Sequence, residues 1–278
     1  MSNNSRSGTV SEKIVAAPYI LWMGIFIVVP LIMVAYFAFT GTDGKFTLEY
    51  IKAAGQYTSI FLRSVTLAAI ATFICLILAY PVSYILSRSD SGKQSTLLMI
   101  VMLPMWMNFL LRTYAWMTIL GNNGIINSIL SFMGLGTLKL LNTRGAVVLG
   151  MIYNYIPYMI LPLYSVMTKI DKSVLEAAQD LGCNGTKVLI KVVIPLSVPG
   201  IMSGITMVFV PAISTFIISR MLGGGSELLI GDLIEMQFLG NSYNPHLGSA
   251  MSFILMIIVL VLMTVMNRFD SDDDKVII

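Results

Sequence analysis

The stretch SVLEAAQDLGCNGTKVLIKVVIP, residues 173–195, has the pattern of two short helices joined by a bend. Ser173 and Glu176 have the spacing of a capping box, in which a serine begins a helix and a glutamate three residues later completes the cap. Gly182 suits the end of that helix, because helices often finish at a residue with left-handed backbone angles. The sequence therefore predicts a helix over about residues 173–181.

The second half of this stretch predicts another short helix, over about residues 186–194, which Pro195 ends. In the first helix the small side chains of Ala177 and Ala178 would allow close packing against a partner. Three residues of that helix share one face: Val174, Ala178 and Leu181. We call residues 169–195 the elbow, since the pattern predicts a helix–glycine–helix segment that protrudes from the rest of the protein.

Outside the elbow the composition is that of a membrane protein. The 278 residues are 56% hydrophobic and 11% charged, whereas soluble domains are typically about 25% charged. The mean hydropathy is +0.84. Long apolar stretches, each near the roughly 20 residues that span a bilayer as a helix, lie at about residues 18–39, 64–87, 97–120, 145–168, 198–219 and 247–267, and all but the third, which contains Arg112, are uncharged. The sequence therefore predicts an all-α integral membrane protein with about six transmembrane helices.

The positions of Lys and Arg favour one orientation of these spans. With the N-terminus inside, ten Lys and Arg residues lie on the cytoplasmic side and six on the outer side, while Arg112 lies within the third span. Because cytoplasmic loops are enriched in positive residues, we expect both termini and the elbow to be cytoplasmic.

The elbow resembles a known motif. Glu176–Ala178, then Gly182, then Val192–Pro195 is similar to the "EAA" loop of binding-protein-dependent ABC importer permeases. The usual pattern ends in Ile-x-Leu-Pro, and here Val192 and Ile194 are conservative replacements. The resemblance implies that the elbow is a coupling helix that inserts into a groove on a cytoplasmic ATPase, with Glu176, Ala177, Ala178 and Gly182 as the coupling residues.

The same resemblance implies a type I ABC importer permease fold in a bacterial cytoplasmic (inner) membrane. It also implies the partners: two cytoplasmic ATP-binding subunits, a second homologous permease subunit and an extracytoplasmic solute-binding protein, all assembled in lipid. The sequence lacks the G-x-x-x-x-G-K-[ST] phosphate loop, so ATP and Mg are expected on the partner ATPase. We expect this chain to bind no cofactor or metal, to have no catalytic residues and to bind no nucleic acid.

Four segments follow from this interpretation. Residues 1–17 form a cytoplasmic N-terminal segment, and residues 18–61 hold the first transmembrane helix and an outer loop. Residues 62–267 form the permease core, with five transmembrane helices and the elbow. Residues 268–278 form an acidic cytoplasmic tail.

The third span suggests a substrate class. The run Arg112–Trp116, RTYAW, resembles the corresponding stretch of spermidine/putrescine permeases. A polyamine would need aromatic faces for cation–π contacts, and carboxylates outside the spans would attract it. The candidate pathway residues are Trp106, Tyr114, Trp116, Tyr153, Asp232 and Glu235. In a continuous third helix Trp106, Phe109, Thr113 and Trp116 would share one face; aromatic residues at such positions also occur as interfacial belts or as core.

Arg112 leaves alternatives open. A charge inside a span is costly and is usually functional or paired, so Arg112 would snorkel to the outer face, or pair with Glu227 or with a carboxylate of a partner subunit. It would also suit an importer of an organic or inorganic anion. A secondary transporter is disfavoured because six spans without an obvious repeat are few. A membrane-embedded enzyme is disfavoured because no catalytic cluster such as H-E-x-x-H is present.

Overall fold

The computed structural model describes residues 18–240 and 242–273. Within this part of the chain the regular structure is helical, apart from an isolated β-bridge between Thr40 and Phe46. In chain order the helices are α1 (Pro18–Phe39), α2 (Glu49–Gly55), α3 (Thr58–Arg88), α4 (Ser91–Trp106), α5 (Phe109–Leu120), α6 (Ile125–Phe132), α7 (Arg144–Thr168), α8 (Lys172–Asp180), α9 (Gly185–Leu196), α10 (Val198–Ser214), α11 (Ile217–Leu222), α12 (Ile230–Leu239) and α13 (Pro245–Asp273). The predicted N-terminal segment 1–17 and residues 274–278 of the tail lie outside the described residues.

Four of the described helices, α1, α3, α7 and α13, are long and apolar enough to cross a membrane. Two further pairs pass the same test together although they are bent: α4 with α5 and α6 by 84°, and α9 with α10 by 67°. Counting each bent pair as one span gives six, in agreement with the sequence prediction. The protein is therefore a multi-pass membrane protein.

The described residues divide into two compact units. The first holds residues 18–57 together with described residues between 236 and 257, and the second holds residues 58–235 and 258–273. In the first unit, no residue in the most apolar 18-residue stretch of α1 is buried. His246 has a structural position in the same unit, since its Nδ1 atom lies 3.1 Å from the carbonyl oxygen of Phe37 and its ring stacks on Tyr50 at 5.2 Å.

The core of the second unit is formed by α3, α7 and α10, which pack closely because small residues line their contacts. Three alanines of α3 are completely buried: Ala68, Ala71 and Ala79. On α10 a Cβ added at Gly200 would lie 3.0 Å from the carbonyl oxygen of Pro162. A Cβ at Gly204 would lie 2.6 Å from the sulfur of Met159. The two glycines thus allow α10 to lie directly against α7.

The third span, predicted at residues 97–120, is not one continuous helix as the sequence analysis expected. Helix α4 ends at Trp106, and Met107 is extended with φ −75° and ψ 146°. Asn108 then begins α5, because its side-chain oxygen accepts hydrogen bonds from the N–H groups of Leu110 and Leu111 at 2.9 and 3.4 Å. Trp106 therefore does not continue the helical face of the residues that follow the break.

Two other span boundaries differ from the sequence prediction: the start of the second span, which lies at Thr58 and not near residue 64, and the end of the fifth. The fifth span was expected to reach residue 219, but α10 ends at Ser214 because Thr215 is extended with φ −63° and ψ 141°. The sixth span, expected at residues 247–267, agrees with the candidate span Pro245–Met266 within α13, and the helix itself continues to Asp273. The fourth span, predicted at 145–168, agrees with α7 at Arg144–Thr168.

Candidate functional site

The first helix of the elbow, α8, begins two residues earlier than the predicted capping box. The N-cap is Asp171, whose Oδ1 atom accepts a hydrogen bond of 3.0 Å from the N–H of Ser173. That hydrogen bond lowers the pKa of the Asp171 carboxyl below its usual value. The assignment of Ser173 as the cap was wrong because a better acceptor, a carboxylate, precedes it in the chain.

The end of α8 has the geometry that the glycine predicted. Gly182 has φ +83°, in the left-handed region. Its N–H bonds to the carbonyl of Gln179 at 2.8 Å, and the N–H of Cys183 bonds to the carbonyl of Ala178 at 3.1 Å. This pair of bonds is a Schellman motif, which ends the helix and turns the chain sharply.

The elbow exposes apolar side chains. Leu181 is 86% exposed and Val174 is 44% exposed, and Ala177 beside them is also exposed. Leu175, on another face of α8, is buried. Because apolar surface of this kind favours burial against a partner, the face formed by Val174, Ala177 and Leu181 is a candidate docking surface. We call it the docking face.

The second helix of the elbow does not end at Pro195. Helix α9 continues to Leu196, and the chain bends by 67° before α10. A π-helical turn over Leu189–Val193 precedes the proline, and this irregular turn accommodates a residue without an N–H. At the bend, the hydroxyl of Ser197 lies 2.9 Å from the hydroxyl of Tyr80 on α3.

Glu227 pairs with two arginines that the sequence analysis did not connect with it. Its Oε2 atom lies 3.3 Å from Nη1 of Arg63 and 3.0 Å from Nε of Arg144. The predicted alternative of a pair between Glu227 and Arg112 was therefore wrong.

Asp232 and Glu235, both candidate pathway residues, also have basic or hydrogen-bonding partners. The buried carboxylate of Asp232 accepts hydrogen bonds from the hydroxyl of Ser219 at 2.6 Å and from the N–H of Leu229 at 2.9 Å. Burial raises the pKa of Asp232, whereas hydrogen bonding to Arg220 lowers the pKa of Glu235. Arg220 forms an ion pair with Glu235. The described acids of this region are thus already engaged by protein groups, a feature that linear sequence does not reveal.

The candidate aromatic residues are only partly brought together. Trp116 of α5 meets Tyr153 of α7 edge to face, with ring centroids 5.4 Å apart. Trp106, at the end of α4, is 78% exposed, and Tyr114 is 52% exposed. The structure therefore supports one aromatic pair between α5 and α7 and leaves the other two rings on the surface of this chain.

Arg112 is buried, so it does not snorkel to the surface. Its guanidinium carbon lies 5.9 Å from the centroid of the Phe109 ring. Among the described residues its Nε and Nη1 atoms have no hydrogen-bond acceptor. An uncompensated buried guanidinium is costly.

Sequence reasoning missed a cavity of about 180 Å³ in the second unit. It lies where the break before α5 meets the break after α10. Its lining is Phe109, Tyr155, Pro211, Ser214, Thr215, Phe216 and Ile217. The signal for it would have been helix breaks near Pro104 and Pro211, both of which lie inside spans.

Comparisons with known proteins agree with the architecture. The family described as "Binding-protein-dependent transport system inner membrane component" matches residues 6–271. The chain is 36% identical over 267 residues to the spermidine/putrescine transport system permease protein PotB of Haemophilus influenzae, covering 92% of this chain and 93% of that protein. It is 33% identical over 257 residues to PotB of Escherichia coli K12, covering 89% and 93%.

A solved bacterial ABC transporter involved in the import of the acidic polysaccharide alginate contains a chain with the same fold. The two chains superpose with a TM-score of 0.80 at 17% identity, over 95% of this chain and 98% of the other. At that identity the likeness concerns the fold alone, and it identifies the type I ABC importer permease fold. With the match over residues 6–271, this chain belongs to the family of binding-protein-dependent transport system inner membrane components.

Proposed function

We propose that this chain is the transmembrane permease subunit of an ATP-driven ABC importer that takes up polyamines, spermidine and putrescine, delivered by an external binding protein. Its similarity to PotB permeases over about nine-tenths of both chains supports the solute class. The observation that carries the mechanism is the elbow, a capped helix with an exposed apolar face that ends in a Schellman motif.

The elbow has the properties needed of a mechanical connection. Its helix has a fixed start at Asp171 and a fixed end at Gly182, so α8 moves as a rigid piece. Glu176, Ala177, Ala178 and Gly182 form the ATPase-coupling segment in this proposal. The docking face enters a groove on the ATPase, with Ala177 and Ala178 allowing close approach. Glu176 is exposed and available for a polar contact.

The proposed orientation places the elbow and both termini in the cytoplasm. The excess of Lys and Arg in the loops on that side supports it. The membrane is the bacterial cytoplasmic (inner) membrane, which agrees with the family description. The proposed segments remain those of the sequence analysis, with the permease core at residues 62–267 and the elbow at 169–195.

The mechanism is alternating access. Two cytoplasmic ATP-binding subunits bind ATP and Mg and hydrolyse the ATP, and this chain contributes no cofactor and no catalytic residue. Closure of these subunits moves the elbow and reorients the spans, which release the solute inward. A second homologous permease subunit completes the pathway, and the family description supports an external binding protein.

The candidate pathway residues differ in what they can contribute to a path for the solute. Trp116 and Tyr153 form an aromatic pair able to contact an ammonium group. Trp106 and Tyr114 are exposed on this chain and available to the pathway or to the second permease subunit. Asp232 and Glu235 contribute to the potential of the outer mouth, although their partners within the chain reduce their attraction for a cation.

A second candidate function is import of an anionic solute by the same machine. The buried guanidinium of Arg112, which has unpaired nitrogen atoms among the described residues, favours it. Competition distinguishes the two functions, because unlabelled putrescine would compete with labelled spermidine whereas organic anions would not.

The test is uptake by the complete complex. In cells that lack this chain alone, we expect ATP-dependent uptake of spermidine and putrescine to be lost and to return when the chain is restored. Restoration should require both the ATPase and the binding protein. Normal uptake without the ATPase, or uptake of anions but not of polyamines, would refute the proposal.

A further inference from the structure

The end of α3 is bonded to the root of the elbow through one side chain. Arg88, the last residue of α3, donates from Nη1 to the carbonyl of Ile170 at 3.1 Å and from Nη2 to the carbonyl of Met167 at 3.2 Å. Met167 lies in the last turn of α7, and Ile170 lies in the linker that leads into α8. Carbonyls at a helix C-terminus lack partners within the helix, and a cation is favoured there.

Gln94 extends this connection to α4. Its Nε2 atom donates to the carbonyls of Ser87 and Ser89 at 3.2 and 2.8 Å, at the end of α3. Its Oε1 atom accepts a hydrogen bond of 3.1 Å from the hydroxyl of Tyr164 on α7. We call Arg88, Gln94 and Tyr164 the tether, because together they bond the adjacent ends of α3, α4 and α7.

The tether links two turns directly across a space that lies between them. The turn between α3 and α4 and the turn between α7 and α8 border a polar cavity of about 480 Å³. Further along, α3 packs against α7 and the hydroxyl of Ser83 donates to the carbonyl of Ile160 at 3.2 Å, whereas at the two turns it is the hydrogen bonds of the tether that cross the space. On the elbow side, Ile170 is buried and Leu175 is buried, which fixes the root of α8 against the core.

We propose that Arg88 is a positioning residue for coupling, which makes α3 and α4 follow the elbow when the ATPase moves it. This inference rests on the proposed function, because it assumes that a partner ATPase displaces the elbow. Without the tether, α3 would still follow α7 through their packing, but the adjacent ends of α3 and α4 would follow the root of the elbow weakly. Helix α4 leads to the break at Met107 and Asn108, beside the cavity between α5 and α10. The tether thus carries the motion to the part of the chain that forms the candidate pathway.

The first experiment measures solute transported per ATP hydrolysed by the complete complex in proteoliposomes. Arg88→Gln should reduce this ratio about tenfold, because it removes a charge-assisted hydrogen bond. Tyr164→Phe should reduce the ratio about fivefold, because it removes a hydrogen bond between neutral groups. Arg88→Lys should restore part of the ratio, because an ammonium retains the charge. Lys93→Gln is the control: it removes a nearby cation whose ion pair with Asp90 is exposed, and it should leave the ratio unchanged.

The second experiment does not depend on the solute. Pulsed EPR between two spin labels measures the distance from α8 to α4. The labels are attached at Gln179→Cys on α8 and Ser95→Cys on α4. The native cysteines are replaced by Cys75→Ser and Cys183→Ser. In the labelled chain with an intact tether, this distance should be the same with and without a non-hydrolysable ATP analogue bound to the complex. It should change in Arg88→Gln and in Tyr164→Phe.

The outcomes separate the two proposals. An unchanged transport ratio and an unchanged label distance in both variants would overturn the tether, as would parallel losses of hydrolysis and transport at a constant ratio. If Arg88→Gln does not reach the membrane, Tyr164→Phe decides, since it removes a single hydroxyl. If the unmodified complex takes up no polyamine, the proposed function fails, while the label distances still decide whether the elbow and α4 move together.

Discussion

The hydroxyl of Ser219 donates a 2.6 Å hydrogen bond to Oδ2 of Asp232, a carboxylate that is completely buried. The second oxygen of this carboxylate, Oδ1, lies 3.9 Å from Nε of Arg220 and has no hydrogen bond among the described residues. Desolvation outweighs the bonds at Oδ2 and raises the pKa of Asp232. A carboxyl group in this environment holds its proton more tightly in the folded chain than in the unfolded chain.

Asp232 should therefore destabilise the folded chain as pH rises. Because its folded pKa is raised, its favourable contribution is complete below the unfolded pKa and is lost as pH rises through the folded pKa. The asparagine of Asp232→Asn stays neutral. The purified variant should therefore lose less thermal stability than the wild-type chain when the pH is raised from about 4 to about 8.

The matched control for this experiment is Glu235→Gln. Arg220 lowers the pKa of Glu235, so the wild-type glutamate stabilises the fold above its unfolded pKa and loses that contribution as pH falls. The two substitutions should change the pH dependence in opposite directions. An Asp232→Asn chain with the wild-type pH profile would contradict the raised pKa.

Gly182 should be required for the elbow to hold its bend. Its φ of +83° is inaccessible to proline, which fixes φ near −65° and has no N–H to bond to the carbonyl of Gln179. Gly182→Pro should abolish transport and ATPase association while the chain still inserts into the membrane. Gly182→Ala, with open space around the added Cβ, should cost only about 1 kcal/mol of backbone strain.

A glycine elsewhere provides the control for Gly182. Gly134, in the loop after α6, also has a positive φ, of 73°, and open space around an added Cβ. Gly134→Ala should carry the same local strain without affecting ATPase binding. Pull-down of the ATPase with each variant, together with the amount of chain in the membrane, checks the prediction. Normal association in Gly182→Pro would refute the coupling role.

How far the sequence predicted the structure depends on whether the signal was local. Gly182 predicted a helix end because a left-handed residue is a local requirement, and the Schellman bonds formed within a few residues of it. The number of spans, six when each bent pair counts as one, followed from the lengths of the apolar stretches. The break at Met107 was missed because hydropathy continues through it, and the N-cap by Asn108 has no apolar signature.

The candidate site was harder to predict because its contacts are distant in sequence. Glu227 pairs with Arg63 and Arg144, which are 164 and 83 residues away. The tether joins Arg88 to carbonyls 79 and 82 residues further along. Spacing along one helix carries no information about such pairs. Such pairs form only when α3 packs against α7 and, for Glu227, when the loop between α11 and α12 meets both helices.

The contact between α10 and α7 should be sensitive to added volume at Gly200. A Cβ there would lie 3.0 Å from a backbone carbonyl, that of Pro162, and 3.1 Å from Cβ of Val166, neither of which moves easily. Gly200→Ala should therefore destabilise the chain by about 1–3 kcal/mol through overpacking. At Gly204 the closest atom is the flexible sulfur of Met159, at 2.6 Å, so Gly204→Ala should be tolerated better.

Thermal unfolding of the two glycine variants in the same detergent measures this difference. Alanine in a helix interior gains about 1 kcal/mol over glycine, which offsets part of the displacement of Met159 in Gly204→Ala. An equal loss of stability in Gly200→Ala and Gly204→Ala would show that the rigidity of the neighbouring atom does not determine the cost.

Arg112 provides the sharpest test of the solute. In the proposed polyamine importer its positive charge binds no substrate, and Arg112→Gln should leave the KM for spermidine unchanged or lower it. Removing a buried charge whose Nε and Nη1 atoms lack acceptors among the described residues should also maintain or raise the thermal stability of the chain. In an anion importer the same substitution would remove the cation that attracts the solute. Loss of a charge-assisted contact of about 1.5–3 kcal/mol corresponds to a rise of tenfold or more in the KM for the anion.

Arg112→Lys keeps the charge and serves as the control. Loss of spermidine uptake in a stable, membrane-inserted Arg112→Gln chain, with uptake retained in Arg112→Lys, would mean that transport requires the positive charge. The assignment of Arg112 to a non-substrate role would then be wrong.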